Sequence, residues 1–471
     1  MEQDRLGVPS EGLRAGVAEG APARGGRLLF NVNLLFLTQV ASYGLRFLAG
    51  VLLARGLGPE GRGDYALFIL STSMAASLAT MGVGLGSMYH IGKDRYSVRI
   101  LLGNSQFVVL VAAALGLLVT ISVGLAVDTS AFVSGDVFWL YVVALPAVLE
   151  YLLLAPLLVG QGRFAGLNLA TLTQVGLVAA GALALYLADE FTLLSIISVW
   201  CGSYVAASFV AVAFLGFENW SLRATIRPDS AALRNQIGTG LPGQAGNVVQ
   251  FLNYRLDQFV LRGLSSRANV GIYAVAVGMS ETVWWIANSV ALALLPRLTR
   301  MDTERGAEVT SVACRNTLLI ALVAAGGLAA VSPLAVRLLF GGAFSDASFA
   351  ILLLMPGTVA MSGAKIILSY MFSQGRMVAS SLIAVVALGG TVLLDLVLIP
   401  RFGIPGAAAA SSIAYSISFA LTLAYYQRMT GNSFLACLFI RVADVELYLD
   451  LVRRARRRVS GRTLAERGSS G

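Results

Sequence analysis

Twelve long apolar stretches limit this chain more than any other feature. They lie at about 28–54, 65–90, 101–127, 137–160, 165–188, 192–216, 239–262, 270–296, 313–340, 348–372, 378–400 and 405–427. A helix crosses the hydrocarbon core of a bilayer with about 20 mostly apolar residues. Each stretch is therefore long enough to span. Composition agrees, with 57% of the 471 residues apolar and 13% charged, against about 45–50% and 25% for soluble domains. A soluble enzyme and a single-anchor protein are both excluded. The predicted fold class is an all-α polytopic membrane protein, with about twelve transmembrane helices in two six-helix bundles.

The same pattern divides the chain. Residues 1–27, rich in Gly, Ala and Arg, read as a disordered tail. Residues 28–217 form the first bundle, 218–238 a linker, 239–427 the second bundle, and 428–471 a tail. The first stretch is too long for the core of a signal peptide, so it is expected to remain as the first span. Within the last segment, 432–452 is interrupted by Arg441, Asp444, Glu446 and Asp450. It reads as an interfacial amphipathic helix. The run Arg453, Arg454, Arg456, Arg457 and Arg458 that follows suits anionic membrane lipids.

The net charge of +9 is not a nucleic-acid signature. With the N-terminus inside, 25 of the 34 Lys and Arg fall on one side, in the tails and alternate loops. Six fall on the other side and three lie within spans. The positive-inside rule then places both termini in the cytoplasm. Cys201, Cys314 and Cys437 are far apart and the sole histidine is His90. No metal site, disulfide framework or Ser-His-Asp triad is indicated, and no catalytic residue or cofactor is expected. His90, beside Lys93 at the inner end of the second span, reads as interfacial.

The two halves repeat. Leu53-Ala54-Arg55-Gly56-Leu57 and Gly63-Asp64-Tyr65-Ala66 follow the first span. Val260-Leu261-Arg262-Gly263-Leu264 and Gly271-Ile272-Tyr273-Ala274 follow the seventh. Gln161-Gly162-Arg163 and Gln374-Gly375-Arg376 hold equivalent places after spans four and ten. Six spans per repeat keep both halves in one orientation, related by a pseudo-two-fold along the membrane normal. Substrate would bind between the halves.

Charges within spans are costly, about 2.5–3.5 kcal/mol each on the insertion scale, and mark interior or aqueous sites. Arg46, Arg255 and Lys365 are candidate cavity cations, drawn from both halves. Together they suit a phosphate or pyrophosphate, which arginine can bind through two oxygens. Glu150, Asp257 and Glu281 are candidate coupling or structural carboxylates. Glu150 is a partner for Arg46 or a proton carrier, and Asp257 a counter-charge for Arg255 or an ion site. Glu281, at the head of Glu-Thr-Val-Trp-Trp, reads as packing before chemistry. Asp395, near the outer end of its span, reads as hydrated.

The run Leu52-Leu53-Ala54-Arg55-Gly56-Leu57-Gly58-Pro59-Glu60-Gly61-Arg62-Gly63-Asp64-Tyr65 resembles the start of bacterial polysaccharide flippases. The segments Leu252–Leu261, Gly271–Ala276 and Leu295–Leu298 resemble the same family's seventh and eighth spans. The likeness is to the polysaccharide-transporter branch of the multidrug/oligosaccharidyl-lipid/polysaccharide exporter superfamily. It implies an inner-membrane flippase that moves an undecaprenyl-pyrophosphate-linked oligosaccharide outward by alternating access, for O-antigen, capsule or exopolysaccharide. It also implies a cationic cavity, which Arg46, Arg255 and Lys365 would supply, and coupling to H+ or Na+. The expected partners are the lipid-linked glycan, membrane lipids, and a glycan polymerase or other assembly proteins, with no nucleic acid. The alternatives are a multidrug extrusion antiporter, a membrane-bound glycan polymerase and a passive scaffold. The first would need an acidic cavity, the second a large outer loop, and the third gives no use to buried charge.

Overall fold

The computed structural model describes residues 21–126, 135–441 and 444. All its long elements are helices. The first half comprises α1 (Ala21–Ala79), α2 (Val83–Gly92), α3 (Val98–Ala126), the short α4 (Gly135–Phe138), α5 (Tyr141–Gly160), α6 (Phe164–Leu187) and α7 (Leu193–Leu215). A short α8 (Leu222–Ile226) leads to the second half. There follow α9 (Ser230–Leu264), α10 (Arg267–Ser280), α11 (Trp284–Leu298), α12 (Thr303–Leu339), α13 (Ala347–Ser373), α14 (Met377–Phe402), α15 (Ile404–Thr430) and the short α16 (Phe434–Leu438).

Among the described residues, ten helical segments are long and apolar enough to cross a membrane. The sequence predicts twelve spans, and two local causes explain the difference. First, α1 runs for 59 residues but breaks at Gly58, whose φ of 66° and ψ of −177° are not helical. Glycine reaches that conformation without a Cβ penalty, and Pro59 then starts the next helical arm with φ already set. The two arms are the first and second predicted spans. Second, α9 is long enough to span but carries Gln244, Asn247, Gln250, Asn253, Arg255, Asp257 and Gln258 on its length. That polarity is tolerated because much of the helix faces other protein rather than hydrocarbon.

Two lobes result. In the N lobe α5 packs against α2, α3 and α7, and α6 against α1 and α7. In the C lobe α13 packs against α12 and α15, and α14 against α9 and α15. The lobes meet along two seams, α1 with α10 and α2 with α9. Both seams depend on glycine. A Cβ on Gly63 would strike the backbone of Arg267, and one on Gly271 the backbone of Pro59. These are equivalent residues of the sequence repeat, so the pseudo-symmetry axis passes through their contact. On the other seam a Cβ on Gly240 would strike Gly82, and one on Gly86 would strike Gln236.

Helix α1 begins at Ala21, within the predicted tail 1–27, of which residues 1–20 lie outside the described part. The linker 218–238 is largely helical: it holds α8, and α9 begins within it at Ser230. Asn104 donates to Gln236 at 2.7 Å and Asn235 to Tyr96 at 2.7 Å, which docks this linker on the N lobe. Of the predicted helix 432–452, residues 432–441 and 444 are described, and they hold the short helix α16 and a buried Asp444. Arg315 of α12 holds Asp444 in a two-pronged pair at 2.5 and 2.7 Å and also donates to the Ala436 carbonyl. Residues 442–443 and 445–471, with the Arg453–Arg458 run, lie outside the described residues.

Candidate functional site

Between the lobes, beside the α1–α10 seam, lie two adjoining chambers of about 260 and 190 Å³. They share Arg62, Ala274, Gly278 and Glu281 as a common wall. Arg46 lines the first chamber and Arg255 the second. Aromatic residues close the first chamber toward the end at which α1 begins. Tyr43 stacks on Trp285 with ring centres 4.7 Å apart, and Asn288 donates to the Tyr43 hydroxyl at 3.3 Å. At the far end, Asp64 pairs with Arg267 at 3.4 Å and Gly63 meets Gly271. Arg55 donates to the carbonyls of Leu338 and Leu339, the latter at 2.7 Å. The lobes are thus latched on both sides of the cavity.

The charges in the lining are Arg46, Arg62, Arg255 and Glu281, three cations against one carboxylate. Glu281 sits in a single 3₁₀ turn, Glu281–Val283, that interrupts the helical path from α10 to α11. Such a turn re-aims a side chain within a helix. Here it points Glu281 at Arg255, with nitrogen–oxygen distances of 2.8 and 3.0 Å. Arg46 and Arg62 have no carboxylate within ion-pair distance among the described residues. The Arg62 Nε is buried without a hydrogen-bond partner, and its guanidinium lies 5.5 Å from the Tyr65 ring centre. The chambers therefore carry an excess of two positive charges.

Arg62 is the residue that sequence reasoning missed. It reads as a loop residue between the first two spans. The signal was the pair Gly58-Pro59, a helix stop followed by a helix start, which puts Arg62 in the first turn of the second arm.

Lys365 does not line the chambers. Its ammonium lies 4.8 Å from the Trp284 ring and 5.5 Å from the Tyr254 ring, inside the C lobe. Glu150 does not pair with Arg46; it accepts from Gln106 at 2.5 Å, away from the lobe interface. Asp257 is not the counter-charge of Arg255, which Glu281 supplies. It is buried in the C lobe, where Tyr273 and Ser411 donate to it at 2.5 and 2.8 Å.

Asp395, expected to be hydrated, is 0% exposed, and neither carboxylate oxygen has a partner. Its position follows from its neighbours. Asn253 on α9 meets Thr391 on α14 at 3.5 Å and donates to the Ala384 carbonyl at 2.8 Å. Both helices run the same way through the lobe. Four residues, one turn, beyond Asn253 and Thr391 stand Asp257 and Asp395. The two carboxylates therefore share one level of the C lobe. His90, expected at the interface, is buried between α2 and α9, with its Nε2 3.3 Å from the Thr239 hydroxyl.

Comparison with known proteins places this arrangement. The sequence pattern of the family described as "Polysaccharide biosynthesis protein" matches residues 28–302, more than half of the chain. No curated protein matches. An inward-facing multidrug resistance MATE family transporter of the MOP superfamily is similar with a TM-score of 0.67 at 15% identity. That match covers 84% of this chain and 98% of the other. The lipid II flippase MurJ in an inward closed conformation gives 0.67 at 14% identity, over 84% of this chain and 87% of that one. An outward-facing MATE transporter gives 0.55 at 16% identity, over 85% and 95%. At these identities the likeness shows the two-lobe helical fold.

Proposed function

Since the chain belongs to the polysaccharide biosynthesis protein family, we propose that it flips a pyrophosphate-linked, lipid-borne oligosaccharide across the bacterial inner membrane, with both termini in the cytoplasm. The observation that carries this reading is the excess of two positive charges in the chambers between the lobes. A substrate with a diphosphate head is attracted there, whereas a cationic drug is repelled. Arginine suits the task because its planar fork meets phosphate oxygens in pairs.

Arg46 and Arg62, lacking ionic partners, take the pyrophosphate first. Arg255 is held by Glu281 until the anion competes for it. Breaking that pair loosens α9 from the α10–α11 turn, which ties substrate arrival to lobe movement. The sugar occupies the space between the lobes and the polyprenyl chain remains in lipid. The lobes then part at the far end, where Asp64–Arg267 and Gly63–Gly271 now close them. The reaction forms and breaks no covalent bond, so no catalytic residue is assigned.

The coupling ion, H+ or Na+, is assigned to the Asp257–Asp395 level of the C lobe. Asp395 is buried with two unpartnered oxygens, which a proton or a small cation would satisfy. Asp257 lies two residues from Arg255 on α9, so occupancy of the ion site can be transmitted along one helix to the chambers.

The test uses cells lacking the protein and supplied with variants. Lipid-linked oligosaccharide should accumulate on the inner face with Arg46→Ala, Arg62→Ala or Arg255→Ala, at normal protein levels. Normal glycan export by all three variants would refute the reading. An unchanged lipid pool with altered drug tolerance would favour the extrusion antiporter, and export of single repeat units would favour the polymerase.

A further inference from the structure

Glu150 is unused by this scheme, and its surroundings are specific. It lies nine residues after Tyr141 and ten before Gly160, so about 14 Å of α5 separates it from either end. It faces a separate groove of about 620 Å³ on the N lobe, not the chambers between the lobes. Helix α5 forms the floor, and α3 and α7 form the walls. Val109, Val143, Val205 and Phe209 make the groove apolar, with Phe217 and Trp220 at one mouth. Phe209 is 66% exposed, Phe217 63% and Trp220 48%, so the groove opens away from the protein, toward hydrocarbon. Gln106 donates its amide to Oε1 of Glu150 and leaves Oε2 to the groove. No Lys or Arg pairs with Glu150 among the described residues.

These features select an occupant by chemistry. A lipid acyl chain fills the volume but leaves a carboxyl group facing methylene groups. An anionic amphiphile brings like charge to Glu150. A lipophilic organic cation meets both demands: its ring system lies on the apolar and aromatic walls, and its protonated nitrogen pairs with the carboxylate. At about 620 Å³ the groove is within the range of sites for drug-sized molecules.

We propose that this groove is a second binding site, entered sideways from the bilayer, for a drug-sized lipophilic amine. It uses no residue of the central chambers and stands independently of the flippase reading.

The experiment is equilibrium binding of rhodamine 6G, a fluorescent lipophilic amine, to the full chain in lipid nanodiscs. Saturable polarisation is expected, with quenching of Trp220 fluorescence that Trp220→Phe removes. Glu150→Gln, which keeps shape and hydrogen bonding, should weaken binding at least tenfold. Val143→Trp, which fills the groove and keeps the carboxyl, should also weaken it. Arg255→Gln and Arg46→Gln should leave affinity unchanged. Equal affinity in Glu150→Gln and Val143→Trp would overturn the proposal. So would non-saturable uptake matching empty nanodiscs, or loss of binding confined to the chamber variants. A Glu150→Gln protein that fails to fold is covered by Val143→Trp, which leaves the ionisable group in place.

Discussion

Replacing Gly63 and Gly271 together by alanine should drive the far gate open. A methyl at Gly271 would overlap the Pro59 carbonyl and lie 2.8 Å from the Gly63 nitrogen. A methyl at Gly63 would overlap the Arg267 carbonyl and lie 3.1 Å from the Gly271 nitrogen. Carbon–oxygen contacts settle at about 3.3 Å or more, so α1 and α10 must part by roughly 1 Å. Neither obstacle is a flexible side-chain tip; both are backbone of the opposite lobe. Overpacking of this kind costs about 1–3 kcal/mol. The cost falls on the closed arrangement alone, since an open far end separates the two helices. A bias of about 1–3 kcal/mol shifts a two-state equilibrium about 5–150-fold. The assay is reaction of Gly50→Cys, at an open position in the first chamber, with a membrane-impermeant maleimide added to intact cells. The native Cys201, Cys314 and Cys437 are buried. Labelling should accelerate by about that factor in the double alanine variant. Gly263→Ala, where nothing lies within 4 Å, is the control. Unchanged labelling in a folded double variant would show that the Gly63–Gly271 contact is not a gate.

Arg62→Gln should stop transport as completely as Arg255→Gln. Lys365→Gln should keep transport but lower the melting temperature, because it removes a half-buried cation–π contact with Trp284 worth about 1–2 kcal/mol. Asp395→Asn and Asp257→Asn should make glycan export insensitive to an imposed proton or sodium gradient; a normal response in both would remove the assignment of the ion level. Asp444→Asn should release α16, since breaking one side of a buried pair costs about 3–5 kcal/mol. Arg315 holds the Asp444 carboxyl below its ordinary value. Its stabilisation is therefore present at neutral pH and is lost as pH falls through and below about 4. Pepsin should then cleave near α16 of the wild type only at the acid end, and of Asp444→Asn already at about pH 5; identical profiles would refute the latch.

The apolar stretches foretold the helices because burial in hydrocarbon writes its length into the chain. Even the polar α9 was legible, as the stretch 239–262, and the repeat that follows it agrees. The direction in which a charge faces was not. Lys365 lies on α13, a helix apolar on nearly every side, so no stripe of residues revealed which side meets the cavity. Asp395 lies near the end of its span, yet it is buried because α14 packs against the α15 that follows it and against α9 from much earlier in the chain. Arg46 and Arg255 line the chambers because they stand on α1 and α9, helices that border the other lobe. Arg62 was hidden because a loop-like sequence, Gly-Pro-Glu-Gly-Arg-Gly, in fact begins a helix.

The polarity of α9 also bears on how the chain enters the membrane during synthesis. Two charges in its last third, Arg255 and Asp257, would together oppose insertion of an isolated helix by up to about 5–7 kcal/mol. The Glu281 that neutralises Arg255 lies beyond the next turn, and the Ser411 that donates to Asp257 is not made until α15. A nascent chain ending after α9 would therefore leave that segment at the water interface. Release of α10 and α11 would let it descend as an ion-paired hairpin, and the C lobe would close around Asp257 only when α15 emerges. The charges buried in the finished protein thus set an order of assembly, with the most polar crossing the last to settle.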